Sequence, residues 1–251
     1  MDIIHKLRSP EGCLWDRQQR KKDVARYLMD EAYEVIDAID SGCTEALKEE
    51  LGDLLFQIFF IADISDDEGD FGISDIMEGV TAKMIRRHPH VFGNIKVSNV
   101  EEIRSNWEDI KKYTEKRDKD NCHIFAGIPR SMPALIKAQK ITEKASKVGF
   151  DWEKADDVLI KIEEELNEFK TALKSGSYEK IKEEIGDFFL SLVNLCRFID
   201  VNAEDSLRAA IIKFTNRFQY IEDNLAATGK TPMEASLKEM DDLWNECKSK
   251  K

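Results

Sequence analysis

The sequence has few of the residues and motifs that mark several common classes of protein. Its 251 residues include only 5 cysteines, 5 prolines and 4 histidines, and no two cysteines have the CxxC spacing. An odd number of cysteines without paired spacing is typical of reduced thiols, so we expect no disulfide framework. No HExxH, GxGxxG or P-loop motif occurs, and no serine lies in a nucleophile elbow. These absences argue against a zinc protease, a dinucleotide-binding enzyme, a P-loop enzyme and a serine hydrolase.

Long apolar runs and basic surfaces are also missing. The longest apolar stretch, residues 54–64, is interrupted by Gln57 and Asp63, and it is too short to span a bilayer. The first ten residues have no signal-peptide pattern. The formal net charge of −12 argues against a nucleic acid as the main partner, because its phosphates require basic footprints. We therefore expect a cytoplasmic protein with neither a membrane nor a nucleic-acid partner.

The periodicity of the chain is helical almost throughout. No pair of alternating apolar runs is joined by a hairpin turn, and charged residues make up 35% of the chain, which suits helices. We expect a first long helix from about Asp23 to Asp40, and Ser74 and Ser98 should cap later helices. Thr231-Pro232 should open the last helix. The predicted fold class is all-α.

Two acidic clusters lie on consecutive predicted helices, as Glu-Glu-x-x-Glu at 164–168 and Glu-x-x-Asp at 184–187. Residues three and four apart share a helical face, so an antiparallel pair of these helices brings at least four carboxylates together. An oxygen-only ligand set suits Mg²⁺, with Mn²⁺ as a second possibility. A run of glutamates is more often a solvated face. However, Glu165 and Glu184 border apolar stripes, where an unpaired carboxylate is costly.

The same pattern occurs earlier in the chain. Four acids and a glycine recur at one offset of 134 residues: Glu31, Glu34, Glu50, Gly52 and Asp53 precede Glu165, Glu168, Glu184, Gly186 and Asp187. Such an offset indicates a duplicated domain. We expect an N-terminal domain over 1–115, a linker over 116–128 and a C-terminal domain over 129–251. A glycine inside a helix costs about 1 kcal/mol relative to alanine, so we expect another group to approach Gly186 closely.

Basic and aromatic residues follow the acids in the same order in both halves. The pairs are spaced four residues apart and so share a helical face: Lys83 and Arg87, Trp107 and Lys111, Lys213 and Arg217, Trp244 and Lys248. A triphosphate requires cations near its oxygens, and arginine can bind them bidentately. An indole can stack on a base.

These motifs together resemble a two-domain MazG-type nucleoside triphosphate pyrophosphohydrolase, over essentially the full length of the chain. Besides the two acidic motifs, the resemblance rests on Cys-Leu-Trp-Asp at 13–16, Arg-Arg-His-Pro-His-Val-Phe at 86–92 and Ile-Pro-Arg-Ser-Met-Pro-Ala-Leu at 128–135. The resemblance implies two tandem helical bundles and a homodimer. It also implies Mg²⁺-dependent cleavage of NTPs or dNTPs to nucleoside monophosphate and pyrophosphate, as in control of the nucleotide pool.

The resemblance also implies roles for individual residues. The metal ligands are Glu165, Glu168, Glu184 and Asp187, and a second, weaker metal site is formed by Glu31, Glu34, Glu50 and Asp53. Glu164 or Glu183 orients or deprotonates the attacking water, and Lys213 and Arg217 complete the catalytic set. The substrate is bound by Lys161, Glu164, Glu165, Lys180, Glu183, Asp187, Lys213, Arg217, Trp244 and Lys248.

The first half departs from this pattern. Asp30, Tyr27 and Ala46 lie at the positions of Glu164, Lys161 and Lys180, so the first half keeps the acids and lacks two cations. We therefore expect the second half to be the main catalytic site and the first to be a weaker, selective or regulatory copy.

Two other interpretations compete with this one. The protein could be a non-enzymatic nucleotide-binding or dimerisation module whose acids hold structural Mg²⁺. A di-iron carboxylate bundle would require Glu-x-x-His on two helices, and no histidine of this chain has that spacing.

Overall fold

The computed structural model describes residues 1–114 and 123–250, and this part of the chain contains helices and no strand. The helices in chain order are α1 (Asp2–Arg8), α2 (Leu14–Gln18), α3 (Lys21–Ser41), α4 (Thr44–Asp67), α5 (Ile73–Arg87), α6 (Pro89–Phe92), α7 (Val100–Thr114), α8 (Ala134–Ser146), α9 (Ala155–Ser175), α10 (Tyr178–Phe198), α11 (Ala203–Ala227) and α12 (Leu237–Ser249). The predicted all-α fold class is confirmed. None of the described helices is long and apolar enough to cross a bilayer.

The chain divides into two compact units, Met1–Arg117 and Asp118–Lys251. Residues 115–122, which include most of the predicted linker over 116–128, lie outside the described part of the chain. The predicted domain limits therefore remain a prediction.

Each unit is built on one long helical hairpin, α3 with α4 in the first and α9 with α10 in the second. Both hairpins turn at a glycine in the left-handed conformation, Gly42 and Gly176, each with φ of 68°. A side chain is disfavoured at that φ, so glycine ends the helix there. These two glycines are also 134 residues apart. The duplicated turns therefore fix the same register between the two helices in each hairpin.

A small apolar core and one ion pair hold each hairpin to its neighbours, and the pair is buried in the first unit and more exposed in the second. In the first unit, Ile4, Val24, Phe60 and Ile64 form a buried cluster. In the second unit, Val158, Val193, Ile221 and Leu225 are buried. Burying one such side chain stabilises the fold by about 1.5–3 kcal/mol.

The ion pairs of the two units have opposite polarity at corresponding positions. Arg8 of α1 donates to Asp63 of α4, whose side chain is only 5% exposed. In the second unit Arg197 of α10 donates to both carboxylate oxygens of Asp151, at 3.0 and 2.5 Å. Asp63 and Arg197 occupy corresponding positions at the offset of 134. The duplicated frame therefore tolerates a reversed charge here, provided that the partner is reversed as well.

Some helix starts differ from those that the sequence predicted. Gly72, not Ser74, precedes α5, because the Asp75 carboxylate accepts from the Gly72 N–H at 2.8 Å and starts the helix earlier. At the start of α7, Asn99 takes the capping role predicted for Ser98 and accepts from the Glu102 N–H.

The last helix also begins later than predicted. Thr231 does not cap the last helix, because its N–H and its hydroxyl both donate to the Glu234 carboxylate in a separate turn. α12 begins after Ser236, which forms a capping box with Glu239.

The predicted close approach to Gly186 is wrong within the described chain. A Cβ built on Gly186, or on Gly52 in the first unit, meets no atom within 4 Å outside the helix's own nearby backbone. Both residues lie inside helices, α10 and α4. Alanine is therefore sterically allowed at both positions.

We expect Gly186→Ala and Gly52→Ala each to raise the free energy of unfolding by about 1 kcal/mol, because alanine has the higher helix propensity. Gly176→Ala is the matched contrast and should lower it by about 1 kcal/mol, since φ is positive there. Urea denaturation followed by circular dichroism measures all three. A loss of stability in Gly186→Ala would show that some group does contact this position.

Candidate active site

The second hairpin brings acids from its two helices together. Glu165 lies on α9, Glu184 and Asp187 lie on α10, and one carboxylate oxygen of each lies within 4.8 Å of the others. Glu31, Glu50 and Asp53 form the same arrangement in the first hairpin. In each half the structure thus gathers three of the four predicted ligands into one cluster.

The fourth predicted ligand of each half lies beside its cluster. The charge of Glu168 contributes to the raised pKa of Glu184. In the first half, partial burial is the largest cause of the raised pKa of Glu50, and a hydrogen bond with Glu34 is the next. All eight predicted ligands therefore belong to two groups of mutually interacting acids.

The acids of the second cluster repel one another. Partial burial is the largest cause of the raised pKa of Glu184, followed by the negative charges of Glu168, Glu183, Glu165 and Asp187. Glu165 is only 6% exposed, so water screens its charge poorly. A divalent cation relieves such repulsion, and a set of carboxylate oxygens is the donor chemistry that Mg²⁺ and Mn²⁺ prefer. The residues present therefore fit a divalent metal.

A lysine touches the acids of the second half. The Lys161 ammonium donates to Glu164 Oε1 and to Glu165 Oε1, both at 2.8 Å, and these bonds raise the pKa of Lys161. Glu183, the other candidate for activating water, is exposed on α10.

The first half has a different neighbour at each of these contacts. Tyr27 stands at the position of Lys161, and its ring packs against Trp15 with 5.8 Å between centroids. The Glu31 carboxylate accepts instead from the neutral amide of Gln57, at 3.2 Å. The first cluster thus has a hydrogen-bond donor but no ammonium in contact with it among the described residues.

A cavity of about 400 Å³ opens beside the second cluster. It is lined by residues of α9 and the start of α10: Glu164, Asn167, Glu168, Thr171, Ala172, Ser175, Lys180 and Glu184. The wall thus combines predicted ligands, one lysine and several neutral polar groups. Such a concave and polar site can accept a charged ligand next to a bound metal.

Sequence reasoning missed the neutral residues of this wall. Asn167 lies three residues and Thr171 seven residues after Glu164, which places both on its helical face. That spacing was the available signal. Tyr33 and Asp37 occupy the corresponding positions of the first half.

The remaining predicted residues form a separate group on α11 and α12. The Arg217 guanidinium lies 5.4 Å and the Lys248 ammonium 5.8 Å from the centre of the Trp244 ring. Phe214 packs against the same indole at 5.1 Å, and Lys213 precedes it on α11. Arg87 lies similarly over Trp107, at 4.7 Å, in the first unit. No hydrogen bond, ion pair or ring contact among the described residues joins the α11–α12 group to the acids.

Each unit is all-α and carries a cluster of carboxylate oxygens that fits a divalent metal. Comparisons with known proteins identify the family to which the chain belongs. The family model of the MazG nucleotide pyrophosphohydrolase domain matches residues 19–92 and 154–221. These two segments contain both acidic clusters. The chain belongs to the MazG nucleotide pyrophosphohydrolase family, as its motifs predicted.

Two relatives that match over nearly their full length agree with this assignment, and a third matches over half of its length. The chain is 41% identical to the nucleoside triphosphate pyrophosphohydrolase/pyrophosphatase MazG of Thermotoga maritima, over 99% of this chain and 94% of that protein. It is 39% identical to the nucleoside triphosphate pyrophosphohydrolase of Escherichia coli K12, over 99% of this chain and 95% of that protein. It is also 42% identical to the uncharacterized protein YabN of Bacillus subtilis, over 98% of this chain and 50% of that protein.

Partial burial of Glu184 and repulsion from the neighbouring acids together predict a crossover in thermal stability. Its pKa is higher in the folded protein than the ordinary value of 4.5, so ionisation of this carboxyl disfavours the folded state as pH rises through the raised pKa. Glu184→Gln should therefore raise the melting temperature of the metal-free protein at pH 7. The gain should vanish below about pH 4, where the carboxyl is protonated in both states.

Added Mg²⁺ should reverse the order, because it stabilises the protein that binds it more tightly, the wild type. Differential scanning fluorimetry with EDTA and with Mg²⁺ gives both comparisons, and Glu163→Gln on the exposed side of α9 is the control. A Glu184→Gln protein that melts below the wild type in EDTA would contradict the account of repulsion.

Proposed function

We propose that the chain hydrolyses nucleoside triphosphates, with ribose or deoxyribose, to nucleoside monophosphate and pyrophosphate in a Mg²⁺-dependent reaction. The observation that carries the proposal is the cluster of Glu165, Glu184 and Asp187 beside a polar cavity that Lys180 also lines. Membership of the MazG family and the names of the relatives from T. maritima and E. coli support the substrate class. The physiological role that we propose is control of the nucleotide pool.

The metal in this proposal is held by Glu165, Glu168, Glu184 and Asp187. When bound, Mg²⁺ supplies Lewis-acid polarisation of phosphate oxygens and lowers the pKa of water. Mn²⁺ fits the same oxygen donors. The support for this set is chemical, because partial burial and the charges of its acidic neighbours, Glu168, Glu165 and Asp187 among them, raise the pKa of Glu184.

The attacking water requires a base, and Glu164 is better placed for this role than Glu183. Glu164 lines the cavity and follows the same helical face as Glu168, whereas Glu183 is not among the lining residues. A carboxylate within hydrogen-bond reach of water can orient it and accept its proton. Lys161 donates to the same carboxylate.

Cations are proposed to bind the phosphates and to stabilise the leaving pyrophosphate. Lys180 faces the cavity directly, and Lys161 is in contact with its acids. Lys213, Arg217 and Lys248 would approach the nucleotide from α11 and α12, where the Trp244 ring offers a surface for the base. Negative charge builds on the leaving group as the α–β bond breaks, so cations placed there lower the barrier.

A homodimer is the proposed assembly. Large apolar side chains remain exposed in the second unit: Ile160 at 63%, Phe189 at 55%, Ile211 at 56% and Phe214 at 58%. We propose that these side chains contact a second copy of the chain, because exposed apolar patches mark interaction sites. The cytoplasm is the proposed compartment, since the described cysteines Cys13, Cys43, Cys196 and Cys247 are free thiols.

The first half is proposed to be a weaker, selective or regulatory copy. It retains the acids Glu31, Glu34, Glu50 and Asp53, so it can hold a metal. No lysine stands at the positions of Lys161 and Lys180, which removes two cations that a triphosphate needs.

The products test the reaction itself. With Mg²⁺ and a panel of NTPs and dNTPs, we expect nucleoside monophosphate and pyrophosphate in equal amounts, and we expect excess EDTA to abolish both. Ion-exchange chromatography of the nucleotides, with an enzymatic assay for pyrophosphate, makes the measurement. Nucleoside diphosphate with orthophosphate would refute cleavage of the α–β bond. Nucleotide binding without turnover would instead support the non-enzymatic module.

The two halves should respond unequally to loss of an acid. Glu168→Ala and Asp187→Ala should lower kcat by roughly a hundredfold, a loss comparable to that of one transition-state contact. Their counterparts at the offset of 134, Glu34→Ala and Asp53→Ala, should leave most of the activity. Steady-state kinetics on variants with native circular dichroism provides the comparison. Equal losses in the two halves would overturn the assignment of catalysis to the second.

A further inference from the structure

Lys161 contacts two carboxylates that have other proposed roles, one as a metal ligand and the other as the base that activates water. Its ammonium donates to Glu165, a proposed metal ligand, and to Glu164, the proposed base, each at 2.8 Å. Glu165 has a side chain that is 8% exposed, whereas that of Lys161 is 33% exposed. A buried carboxylate needs a partner, and Lys161 is such a partner for Glu165.

The neighbours of Lys161 show that this contact is specific to one lysine of the second half. Lys180 lines the same cavity, yet it forms no ion pair among the described residues. In the first half, Tyr27 replaces the lysine and Gln57 donates to Glu31 without a charge. The cluster of the first half is therefore held without a cation, and that of the second half is held with one.

A divalent cation and an ammonium repel each other when they share one carboxylate. Metal binding at Glu165 therefore weakens the contact of Lys161 with it. The proposed substrate brings phosphate oxygens, which offer the displaced ammonium new acceptors. The lysine side chain has four rotatable bonds and can move between the two sets of acceptors.

We infer that Lys161 is an exchangeable counter-ion that occupies Glu164 and Glu165 in the metal-free enzyme and moves to the phosphates when metal and substrate bind. The inference rests on the proposed metal site and adds an order of events to it. Before the metal and substrate bind, the Lys161 ammonium occupies both Glu165, a metal ligand, and Glu164, the base. After the metal and substrate bind, both carboxylates are free for these roles, and the Lys161 ammonium stabilises the phosphates of the substrate.

This exchange predicts two effects of opposite sign from one substitution. Lys161→Met removes the competitor, so the nucleotide-free protein should bind Mn²⁺ about tenfold more tightly, as expected for loss of a hydrogen bond between charged groups. The same variant should have a higher KM for a nucleoside triphosphate, because a phosphate-binding cation is gone. A lysine that only stabilises α9 would produce neither the tighter Mn²⁺ binding nor this opposition.

The experiment uses the full chain with Glu50→Gln and Asp53→Asn in every protein, so that only the second cluster reports. Free Mn²⁺ is measured by electron paramagnetic resonance during titration. Lys161→Gln is the second variant, because an amide can donate to a carboxylate without adding a charge, as Gln57 does to Glu31 in the first half. Lys180→Met is the matched control, since it removes a cation from the same cavity that does not contact the acids.

We expect Mn²⁺ affinity to rise about tenfold in both Lys161 variants and much less in Lys180→Met. An equal rise of Mn²⁺ affinity in all three variants would show that loss of any nearby positive charge is sufficient, and it would overturn the exchange. Unchanged or weaker Mn²⁺ binding in both Lys161 variants, or no binding by any protein, would overturn it as well. Absence of nucleoside triphosphate hydrolysis by the wild type would instead refute the proposed function. Failure of the exchange and failure of the proposed function are therefore distinguishable.

Discussion

Repulsion between carboxylates that face each other across a helical hairpin is the interaction on which this structure depends. Glu165 on α9 and Glu184 and Asp187 on α10 lie close enough for one cation to bind all three. Burial of Glu165 and partial burial of Glu184 strengthen their mutual repulsion. The fold holds this arrangement through a fixed turn at Gly176 and a small apolar core. A frame that tolerates such repulsion is suited to bind a divalent metal rather than to maximise its own stability.

Comparison of the two halves distinguishes the residues that the helical hairpin requires from those that differ between the two acidic clusters. Both hairpins turn at a left-handed glycine and both retain the acids. The ion pairs beneath them have exchanged polarity, Arg8 with Asp63 in one half and Asp151 with Arg197 in the other. Around the acids the differences alter chemistry, because Lys161 corresponds to Tyr27 and Lys180 to Ala46. The two clusters therefore share a ligand set and differ in the charge that surrounds it.

Local signals in the sequence were sufficient to predict much of this. The helices and the acidic clusters follow from periodicity and spacing within a few residues. Helix starts were less accurate where two caps compete, as with Ser74 and the Asp75 carboxylate that starts α5 at Gly72. The competing capping hydrogen bonds differ too little in free energy for a sequence pattern to show which one forms.

Contacts between distant residues could not be predicted from one sequence. The bond from Gln57 to Glu31 joins residues 26 apart, and that from Arg197 to Asp151 joins residues 46 apart. Both depend on how the helices pack. The neutral wall of the cavity has no motif of its own, and the space beside Gly186 is open where a close neighbour was expected. These features belong to packing between elements, whereas the acids belong to the pattern within each element.

The central claim is that the acids of the second hairpin bind the catalytic metal. Anomalous diffraction from crystals grown with Mn²⁺ and a non-hydrolysable nucleoside triphosphate analogue tests it most directly. The account predicts an anomalous peak bound by carboxylates of Glu165, Glu168, Glu184 and Asp187, with the phosphates of the analogue beside it. A peak in the first hairpin alone, or phosphates bound away from the second cluster, would contradict it.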